Sequence, residues 1–401
     1  MKKGMVNNRM VIKGFSTKAV HAGELIDKRF GNVITPIFLS STYLSPNESQ
    51  EKYIDPTRNK PYLYTRLGNP TFTSFEQKYA ALENASYALS FSSGMAAITT
   101  SIMSAVKQGE RILALNQLYG QTYEFFKEVS TNLGIQVDFV SVDSLNALEI
   151  PAKEYKVFYV ESITNPTMQV CDIKTVAEYC IEKGIDLFVD ATFASPYLQR
   201  PLDFGASVVL HSATKYIGGH SDLIMGLFAT NSKSIYEKVV EYRSTLGCIP
   251  EPFSVYLALR GIKTLALRME RQQSNAMKLA KFLSQNEKVS KVNYPGLENN
   301  EYHDLAKKVL NGFGAMLSFE LKGGYEAAKK FIRALKLCIV APSLGGVETL
   351  VTLPLETSHR QLSIEERMRM NINEGLIRVS VGIEDYEDIE KDFSQALEAV
   401  S

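Results

Sequence analysis

Cysteine and histidine are scarce in this 401-residue sequence, which limits the metal and disulfide chemistry it can support. The four cysteines lie far apart without a C-x-x-C pair, and none of the five histidines has metal-ligand spacing to another. Structural zinc sites and disulfide frameworks usually show such spacings. We therefore predict no metal site and no disulfide framework.

A net charge and long hydrophobic runs are also lacking. The 44 basic and 44 acidic residues cancel, so no overall electric field attracts nucleic acid or an anionic membrane. No stretch approaches the ~20 apolar residues of a membrane span, and residues 1–14 contain no apolar run typical of a signal peptide. The composition predicts a cytoplasmic protein that binds neither nucleic acid nor membranes.

Three regions of the chain differ in their residue patterns. Residues 1–66 are rich in Thr, Ser, Pro, Asn and Tyr, so we expect an arm that packs on its own domain or over a neighbouring subunit. Residues 67–255 alternate short apolar runs with helical periods, which is typical of a parallel sheet covered by helices. Residues 256–401 predict a smaller α/β domain, entered through a helix over 254–269 that is interrupted at Gly261. The expected fold class is α/β, with a large, mostly parallel sheet domain, a smaller C-terminal domain and an N-terminal arm.

The apolar runs also predict where the strands lie. In the large domain they cover residues 88–91, 111–115, 136–140, 157–160, 187–189, 207–210 and 227–230; in the smaller domain they cover 316–321 and 376–381. A capping box at Ser363 and Glu366 and a terminal helix from about Asp385 are further predictions for the smaller domain.

Ligands of open α/β sheets collect beyond the carboxyl ends of the strands. The predicted ends carry Ser93-Gly94-Met95, Tyr119, Glu161 with Asn165, Asp190 and residues 212–215. We therefore expect these candidate functional residues to lie together around one opening, the mouth of the site, at this edge of the sheet.

The stretch His211-Ser212-Ala213-Thr214-Lys215-Tyr216-Ile217-Gly218-Gly219-His220 is the most informative part of the sequence. A lysine that holds pyridoxal phosphate (PLP) as a Schiff base must be uncharged part of the time. It must also reach a cofactor whose phosphate needs donors, here Ser212 and Thr214. Because a Thr-Lys pair before Gly-Gly also occurs at helix ends and solvated turns, the motif alone leaves both interpretations open.

Two further stretches suit a phosphate. The first, Ser92-Ser93-Gly94-Met95-Ala96-Ala97-Ile98, follows a predicted strand and opens a helix, where free backbone N–H groups and the positive helix end attract anions. In the second, Tyr64 and Arg66 stand two residues apart and point the same way if the chain is extended, as a phosphate clamp requires. An ordinary serine-capped helix and exposed turn residues are the alternatives.

Three more residues are candidates for chemistry. Asp190 ends an apolar strand, where a pyridinium nitrogen is a suitable partner for its carboxylate. Tyr119, followed by Gly120, is placed to stack on a cofactor ring and exchange a proton. Arg378 stands in an apolar strand, where an amino-acid carboxylate is a suitable bidentate partner. A turn aspartate, a structural tyrosine and a structural ion pair are the respective alternatives.

Taken together, these residues make the chain resemble the Cys/Met-metabolism family of PLP-dependent enzymes. The similar motifs extend from residues 16–23 to 379–385 and include Tyr64-Thr65-Arg66, Ser93-Gly94-Met95, Leu118-Tyr119-Gly120, Thr164-Asn165-Pro166, residues 211–222, Leu259-Arg260-Gly261 and Ser343-Leu344-Gly345-Gly346. The resemblance implies the type I PLP-dependent transferase fold and a homotetramer built from two catalytic dimers.

The resemblance also implies a role for each matching residue. Lys215 is similar to the Schiff-base lysine, Asp190 to the partner of the pyridine nitrogen, and Tyr119 to the stacking acid/base. The implied cofactor contacts, besides these three, are Tyr64 and Arg66 at the phosphate of the neighbouring subunit, and Gly94, Met95, Asn165, Thr192, Ser212 and Thr214. The implied substrate contacts are Asn165, Ser343, Arg378 and Tyr64.

The family implies a sulfur amino-acid enzyme that makes or breaks a C–S bond, and we interpret the chain as a cystathionine γ-lyase type. Cystathionine γ-synthase, methionine γ-lyase and cystathionine β-lyase activities are the alternatives. Family patterns that would decide are incomplete: the chain has Ala191 after Asp190 where the family commonly has Asn, Pro342 where γ-lyases and bacterial γ-synthases often have Glu, and Gln121 where methionine γ-lyases often have Cys.

Two other classes of protein fit the sequence less well than an enzyme of this family does. A PLP-binding protein that has lost catalysis would lack Lys215, Tyr119 or Asp190, and all three are present. A nicotinamide-dependent dehydrogenase would need G-x-G-x-x-G after the first strand, and the sequence has no such motif there.

Overall fold

The computed structural model describes residues 12–45, 54–55, 60–357, 360 and 363–400. Parts of the expected arm, including most of the segment 1–14, lie outside the described residues. In the described part of the chain the strands are, in chain order, β1 (Ile54–Asp55), β2 (Lys60–Pro61), β3 (Tyr87–Phe91), β4 (Arg111–Leu115), β5 (Gln136–Val140), β6 (Val157–Glu161), β7 (Asp186–Asp190), β8 (Val208–Ser212), β9 (Gly226–Thr230), β10 (Val289–Asn293), β11 (Met316–Leu321), β12 (Ile339–Val340), β13 (Leu350–Thr352) and β14 (Leu376–Ser380).

The helices surround two sheets. In the same part of the chain they are α1 (Phe15–His21), α2 (Pro70–Glu83), α3 (Gly94–Ala105), α4 (Gly120–Glu124), α5 (Ser130–Asn132), α6 (Val142–Asn146), α7 (Ile173–Lys183), α8 (Ser195–Leu198), α9 (Lys233–Leu246), α10 (Pro252–Ile262), α11 (Leu265–Ser284), α12 (His303–Val309), α13 (Gly324–Ala334), α14 (Ile364–Arg369) and α15 (Tyr386–Glu398). Among these described helices, none is both long and apolar enough to cross a bilayer.

The larger sheet has seven strands in the order β3-β9-β8-β7-β6-β4-β5. Strands β4 to β8 run parallel, whereas β9 is antiparallel to both β8 and β3. The sheet is therefore mixed at one edge. The apolar run that predicted β9 carries no direction. The connection over residues 213–225 contains no crossover helix, and it returns the chain antiparallel.

The helix predicted over 254–269 is in fact two helices, α10 and α11, and the break is not at Gly261. Gly261 lies inside α10, where an added Cβ would collide with the carbonyl of Gly218. The glycine therefore permits close packing on the loop after β8. The chain turns instead at Lys263 and Thr264, where the Thr264 hydroxyl donates to the Gly261 carbonyl at 3.1 Å.

The smaller sheet has the order β10-β11-β14-β13-β12 and packs against α11, α13 and α15. Phe319, Phe331 and Phe393 meet at its centre, with ring centroids 5.3 to 6.3 Å apart. In β14, Ile377 and Val379 belong to this core. Because side chains alternate along a strand, Arg378 between them points the other way, towards the large domain.

Two predictions for the smaller domain are confirmed. The Ser363 N–H donates to Glu366 Oε2 at 2.8 Å and the Glu366 N–H donates to Ser363 Oγ at 3.2 Å, which is the expected capping box before α14. The terminal helix α15 begins at Tyr386 after Asp385. The remaining strands of this sheet, β10, β12 and β13, were not predicted, since they are short or partly exposed.

Candidate active site

A cavity of about 590 Å³ opens where the carboxyl ends of β6, β7 and β8 meet the first turn of α3. Its lining includes the strand-end residues that the sequence placed at one mouth, and it is completed from the smaller domain by residues 342–344 and Arg378. The structure thus brings together Gly94, Met95, Tyr119, Asn165, Asp190, Thr192, Ser212, Thr214, Lys215, Ser343 and Arg378.

Lys215 reaches into this cavity from the turn that follows β8. Its Nζ donates a hydrogen bond to Ser343 Oγ at 2.8 Å. Burial lowers the pKa of Lys215 to about 8, and the nearby Arg378 guanidinium acts in the same direction. About one-tenth of this amine is therefore uncharged at pH 7, far more than for an ordinary lysine, and a nucleophilic amine must be uncharged.

The backbone behind Lys215 is held by an arginine that sequence reasoning did not single out. Arg268, on α11, donates to the carbonyls of Tyr216 at 2.6 Å and Gly261 at 2.9 Å. Gly219 has a positive φ of 73°, and a Cβ there would collide with this guanidinium. The Arg268 contact therefore needs the second glycine of the Gly-Gly pair. This glycine was the feature of the sequence from which a close contact here could have been predicted.

The first turn of α3 faces the turn that bears Lys215. Ser93 Oγ accepts the Ala96 N–H at 3.0 Å, so Ser93 is the N-cap of this helix. At Gly94, a Cβ would stand only 3.0 Å from Ser212 Cβ. This close approach leaves the positive end of α3 beside the Ser212 hydroxyl, which is an arrangement suited to a phosphate.

Asp190 lies at the end of β7 and is buried, with 9% of its surface exposed. The N–H and the hydroxyl of Thr192 both donate to Asp190 Oδ1, at 3.0 and 2.5 Å. The Thr192 hydroxyl in turn accepts the Ser212 N–H at 2.9 Å. Burial raises the pKa of Asp190, whereas the Thr192 donors oppose that rise. None of the described cationic side chains forms an ion pair with this carboxyl.

Tyr119 precedes α4 and is 40% exposed at the rim of the cavity. Burial of the phenol raises the pKa of Tyr119 above its ordinary value, and the Arg378 guanidinium opposes that rise. The Tyr119 N–H donates to Glu161 Oε1 at 2.6 Å. Tyr119 therefore keeps its phenolic proton at neutral pH, as a proton donor must.

Arg378 is buried, with 4% of its surface exposed, beside the end of Lys215. It donates to Asn165 Oδ1 at 3.1 Å and to the Ser343 carbonyl at 3.0 Å. Burial lowers the pKa of Arg378 to about 10, so the group remains charged at neutral pH. Among the described carboxylates none forms an ion pair with it.

Ser343 joins Arg378 and Lys215 and has a strained backbone. Its φ is 87°, in the region that favours glycine. Such strain persists where the surroundings enforce it, and it is often found at functional sites. Here it places the hydroxyl on Lys215 Nζ while the carbonyl accepts from Arg378.

Two predicted site residues, Tyr64 and Arg66, lie outside the cavity of their own chain. Tyr64 forms an isolated antiparallel bridge with Thr42, but the chain then turns at Arg66, because the Leu67 N–H donates to the Tyr64 carbonyl at 2.8 Å. The two residues therefore do not share the expected extended strand. Arg66 is exposed, donates to the Ser244 carbonyl at 2.8 Å and lies 5.7 Å from the centre of the Tyr64 ring. Their contribution to a neighbouring subunit stays a prediction.

Comparisons with known proteins cover nearly the whole chain. The family of Cys/Met metabolism PLP-dependent enzymes matches residues 16–398. Cystathionine gamma-lyase of Dictyostelium discoideum is 43% identical over 383 residues, which are 95% of this chain and 97% of that protein. L-methionine gamma-lyase of Fusobacterium nucleatum subsp. polymorphum is 40% identical over 391 residues, 96% and 98% of the two chains. The solved structure of cystathionine gamma-lyase from Lactobacillus plantarum with L-serine has a TM-score of 0.91 at 35% identity and covers 97% of this chain and 99% of that one.

Proposed function

Since the chain belongs to the family of Cys/Met metabolism PLP-dependent enzymes, we propose that it eliminates the γ-substituent of cystathionine as cysteine, and that one water molecule then hydrolyses the unsaturated remainder to 2-oxobutanoate and ammonia. Family membership, the PLP cofactor and the type I α/β fold confirm the resemblance inferred from the sequence. The observation that carries the proposal is the position of Lys215 Nζ in a cavity that also holds a buried carboxyl, Asp190, and a buried guanidinium, Arg378.

The residues of the cavity fit PLP. The first turn of α3, with Gly94 against Ser212, offers backbone N–H groups and a hydroxyl to the phosphate, and Thr214 adds a second hydroxyl. Asp190, buried without a cationic partner among the described residues, suits a protonated ring nitrogen. Met95, Thr192 and Asn165 line the same space and complete the proposed contacts.

PLP, when bound through Lys215, supplies an electron sink that weakens the bonds at Cα of the substrate. Lys215 Nζ becomes a free base when the substrate amine takes its place. It then accepts the Cα proton and subsequently moves a proton at Cβ. A lysine whose pKa is lowered to about 8 by burial serves both steps, because it gains and loses a proton readily near neutral pH.

Tyr119 acts at the leaving group. Its hydroxyl, which keeps its proton because burial raises the pKa of Tyr119, donates that proton to the departing sulfur. Lys215 thus transfers the protons at the substrate carbons, and Tyr119 donates the proton to the sulfur.

Arg378 holds the substrate carboxylate. A guanidinium binds a carboxylate through two parallel N–H groups, which fixes its orientation as well as its position. Asn165 Oδ1 and the Ser343 carbonyl already orient Arg378, at 3.1 and 3.0 Å. The Cα of a bound amino acid is thereby directed towards Lys215.

The uncharged part of the cavity lining favours methionine as a second candidate substrate. It includes Ile224, Pro342, Leu344 and Thr357. Among the described lining residues, the acidic and basic side chains are Glu161, Asp190, Lys215 and Arg378. An uncharged wall suits the methylthio group of methionine at least as well as the distal amino-acid moiety of cystathionine, and a methionine gamma-lyase is among the similar proteins.

Product analysis tests the choice. The purified holoenzyme is incubated separately with cystathionine, with methionine, and with O-acetyl- or O-succinylhomoserine plus cysteine. The proposal expects 2-oxobutanoate, cysteine and ammonia in equal amounts from cystathionine. Methanethiol from methionine with no reaction of cystathionine would support the second candidate. Cystathionine formed from the acylhomoserines would identify a γ-synthase, and pyruvate with homocysteine from cystathionine would identify a β-lyase.

The proposal extends to the assembly and its location. We propose that the arm of residues 1–66, whose helix α1 packs on α2 of its own chain, also contacts a neighbouring subunit. We further propose that residues 67–255 bind PLP, that residues 256–401 form the smaller domain, and that the enzyme is a cytoplasmic homotetramer. The exposed Tyr64 and Arg66 support the arm, since both lie outside their own cavity. The four cysteines, all free thiols, suit a reducing compartment. Analytical ultracentrifugation tests the tetramer.

A further inference from the structure

Glu161 is a buried acid in the cavity to which the reaction described above assigns no step. It ends β6, directly opposite Asp190 in the register of β6 and β7, and only 5% of its surface is exposed. None of the described lysine, arginine or histidine side chains forms an ion pair with it. Burying a carboxyl without an ion-pair partner costs free energy, so we expect Glu161 to have a functional role at this place.

The contacts of Glu161 indicate that purpose. Its Oε1 accepts the N–H of Tyr119 at 2.6 Å, and the backbone N–H of Asn165 lies close enough to the carboxyl to lower the pKa of Glu161. One side chain therefore joins the segment after β4, which carries Tyr119, to the segment after β6, which carries Asn165. The first segment presents the proposed proton donor, and the second orients Arg378 through Asn165 Oδ1 at 3.1 Å.

We propose that Glu161 is a positioning residue, which holds the backbone of Tyr119 and of Asn165 so that the phenol meets the leaving group and Arg378 meets the substrate carboxylate. The inference rests on the roles proposed above for Tyr119 and Arg378. Glu161 itself touches neither the substrate nor the reacting atoms in this account.

The charge of Glu161 is consistent with this role. Burial raises the pKa of Glu161 well above its usual range, and the neighbouring Asp190 acts in the same direction. Asp190 has the Thr192 donors at 3.0 and 2.5 Å, which favour its ionised form. A neutral amide of the same shape keeps an acceptor oxygen for the Tyr119 N–H and should therefore replace the Glu161 carboxyl.

The experiment is a double-mutant cycle on the holoenzyme, with kcat, KM and PLP content measured for Glu161→Ala, Tyr119→Phe and the double variant. Because a 1 Å misplacement costs on the order of 100-fold, Glu161→Ala should lower kcat by roughly 100-fold in the wild-type background. In the Tyr119→Phe background the same change should lower kcat by less than about fivefold, because the donor to be positioned is already gone. KM should rise in both backgrounds, since the loss of Asn165 alignment does not depend on the phenol.

Glu161→Gln keeps the shape and an acceptor oxygen, so it should retain kcat within about threefold. Asp392→Ala is the matched control, because Asp392 is a buried carboxyl that accepts the N–H groups of Lys336, Leu337 and Cys338 at 2.9, 3.0 and 2.8 Å, in the smaller domain. Loss of those bonds should leave kcat within about twofold of wild type, as expected for a site without contact to the reaction.

Losses from Glu161→Ala and Tyr119→Phe that multiply independently would overturn the inference, as would a Glu161→Gln variant as impaired as Glu161→Ala. A Tyr119→Phe enzyme with normal kcat would instead refute the proton-donor role of Tyr119 and, with it, this inference. If Glu161→Ala does not fold, Glu161→Met, which keeps the volume but offers no acceptor, takes its place in the cycle.

Discussion

Replacing Arg378 should separate substrate binding from folding. The guanidinium is buried with two neutral acceptors, Asn165 Oδ1 and the Ser343 carbonyl, and without a carboxylate among the described residues. Removing one partner of a buried, hydrogen-bonded charge pair costs ~2–5 kcal/mol. At ~1.4 kcal/mol per factor of ten, Arg378→Ala should lower kcat/KM by roughly 30- to 4000-fold. Arg378→Lys keeps the charge but loses one charge-assisted hydrogen bond of ~1.5–3 kcal/mol, which is roughly 10- to 150-fold.

Stability should change much less than activity. Arg378→Met keeps the volume, removes a charge that lacks a carboxylate partner and frees two acceptors, so the opposing effects should leave the free energy of unfolding within ~2 kcal/mol of wild type. The assays are steady-state kinetics, PLP content and urea unfolding. Arg271→Ala is the control, since Arg271 is an exposed arginine paired with Asp385 at 2.8 Å. Normal kcat/KM in Arg378→Ala, or a loss explained wholly by lost PLP, would refute the reasoning.

Three further outcomes follow from the same geometry. Brief acylation of the enzyme stripped of PLP, quantified by mass spectrometry, should label Lys215 half-maximally near pH 8, because the protonated amine below its pKa does not react; a midpoint above pH 10 would contradict the burial argument. Asp190→Asn should retain PLP but lose most of kcat, since an amide cannot balance a protonated ring nitrogen, and unchanged kcat at full PLP content would exclude that partnership. Gly219→Ala and Gly247→Ala should each lower the free energy of unfolding by ~1–2 kcal/mol, because alanine is strained in the left-handed backbone conformation. Urea unfolding should show a larger loss for Gly219→Ala than for Gly247→Ala, because the Cβ at Gly219 meets Arg268 whereas Gly247 has open space. Equal losses would contradict the Arg268 contact.

Much of the fold could be predicted because the strands of the large sheet are continuous buried runs. Strands β4 and β5 begin and end at the predicted residues. Strand β6 extends the predicted run by Glu161, and β7 extends it by Asp186 and Asp190. Strand direction could not be predicted in the same way, since an apolar run has no polarity of its own. The antiparallel direction of β9 was therefore not predicted.

The site was predictable where chemistry follows a strand. Asp190 ends a strand, Lys215 and Tyr119 stand beyond strand ends, and Arg378 interrupts an apolar strand, so local sequence marked each of them. The roles of Arg268 and Glu161 depend on contacts between distant segments. Arg268 sits in a long helix rich in charged residues, where its sequence resembles a solvated face, yet it is buried on the carbonyls behind Lys215.

Local sequence could not distinguish a glycine that ends a helix from a glycine that allows close packing of a helix. Gly261 was interpreted as a helix break, but it is the place where α10 packs on the backbone of Gly218. Similarly, Tyr64 and Arg66 were expected on an extended strand, whereas the segment up to Leu67 closes into a turn.

The central claim, a covalent link between PLP and Lys215, is tested most directly by borohydride reduction of the holoenzyme followed by peptide mapping. The account predicts one reduced pyridoxyl group per chain, attached to Nζ of Lys215, and none in a Lys215→Ala variant that is folded and has lost turnover. A pyridoxyl group on another lysine, or a Lys215→Ala enzyme that keeps both the covalent cofactor and turnover, would contradict the account.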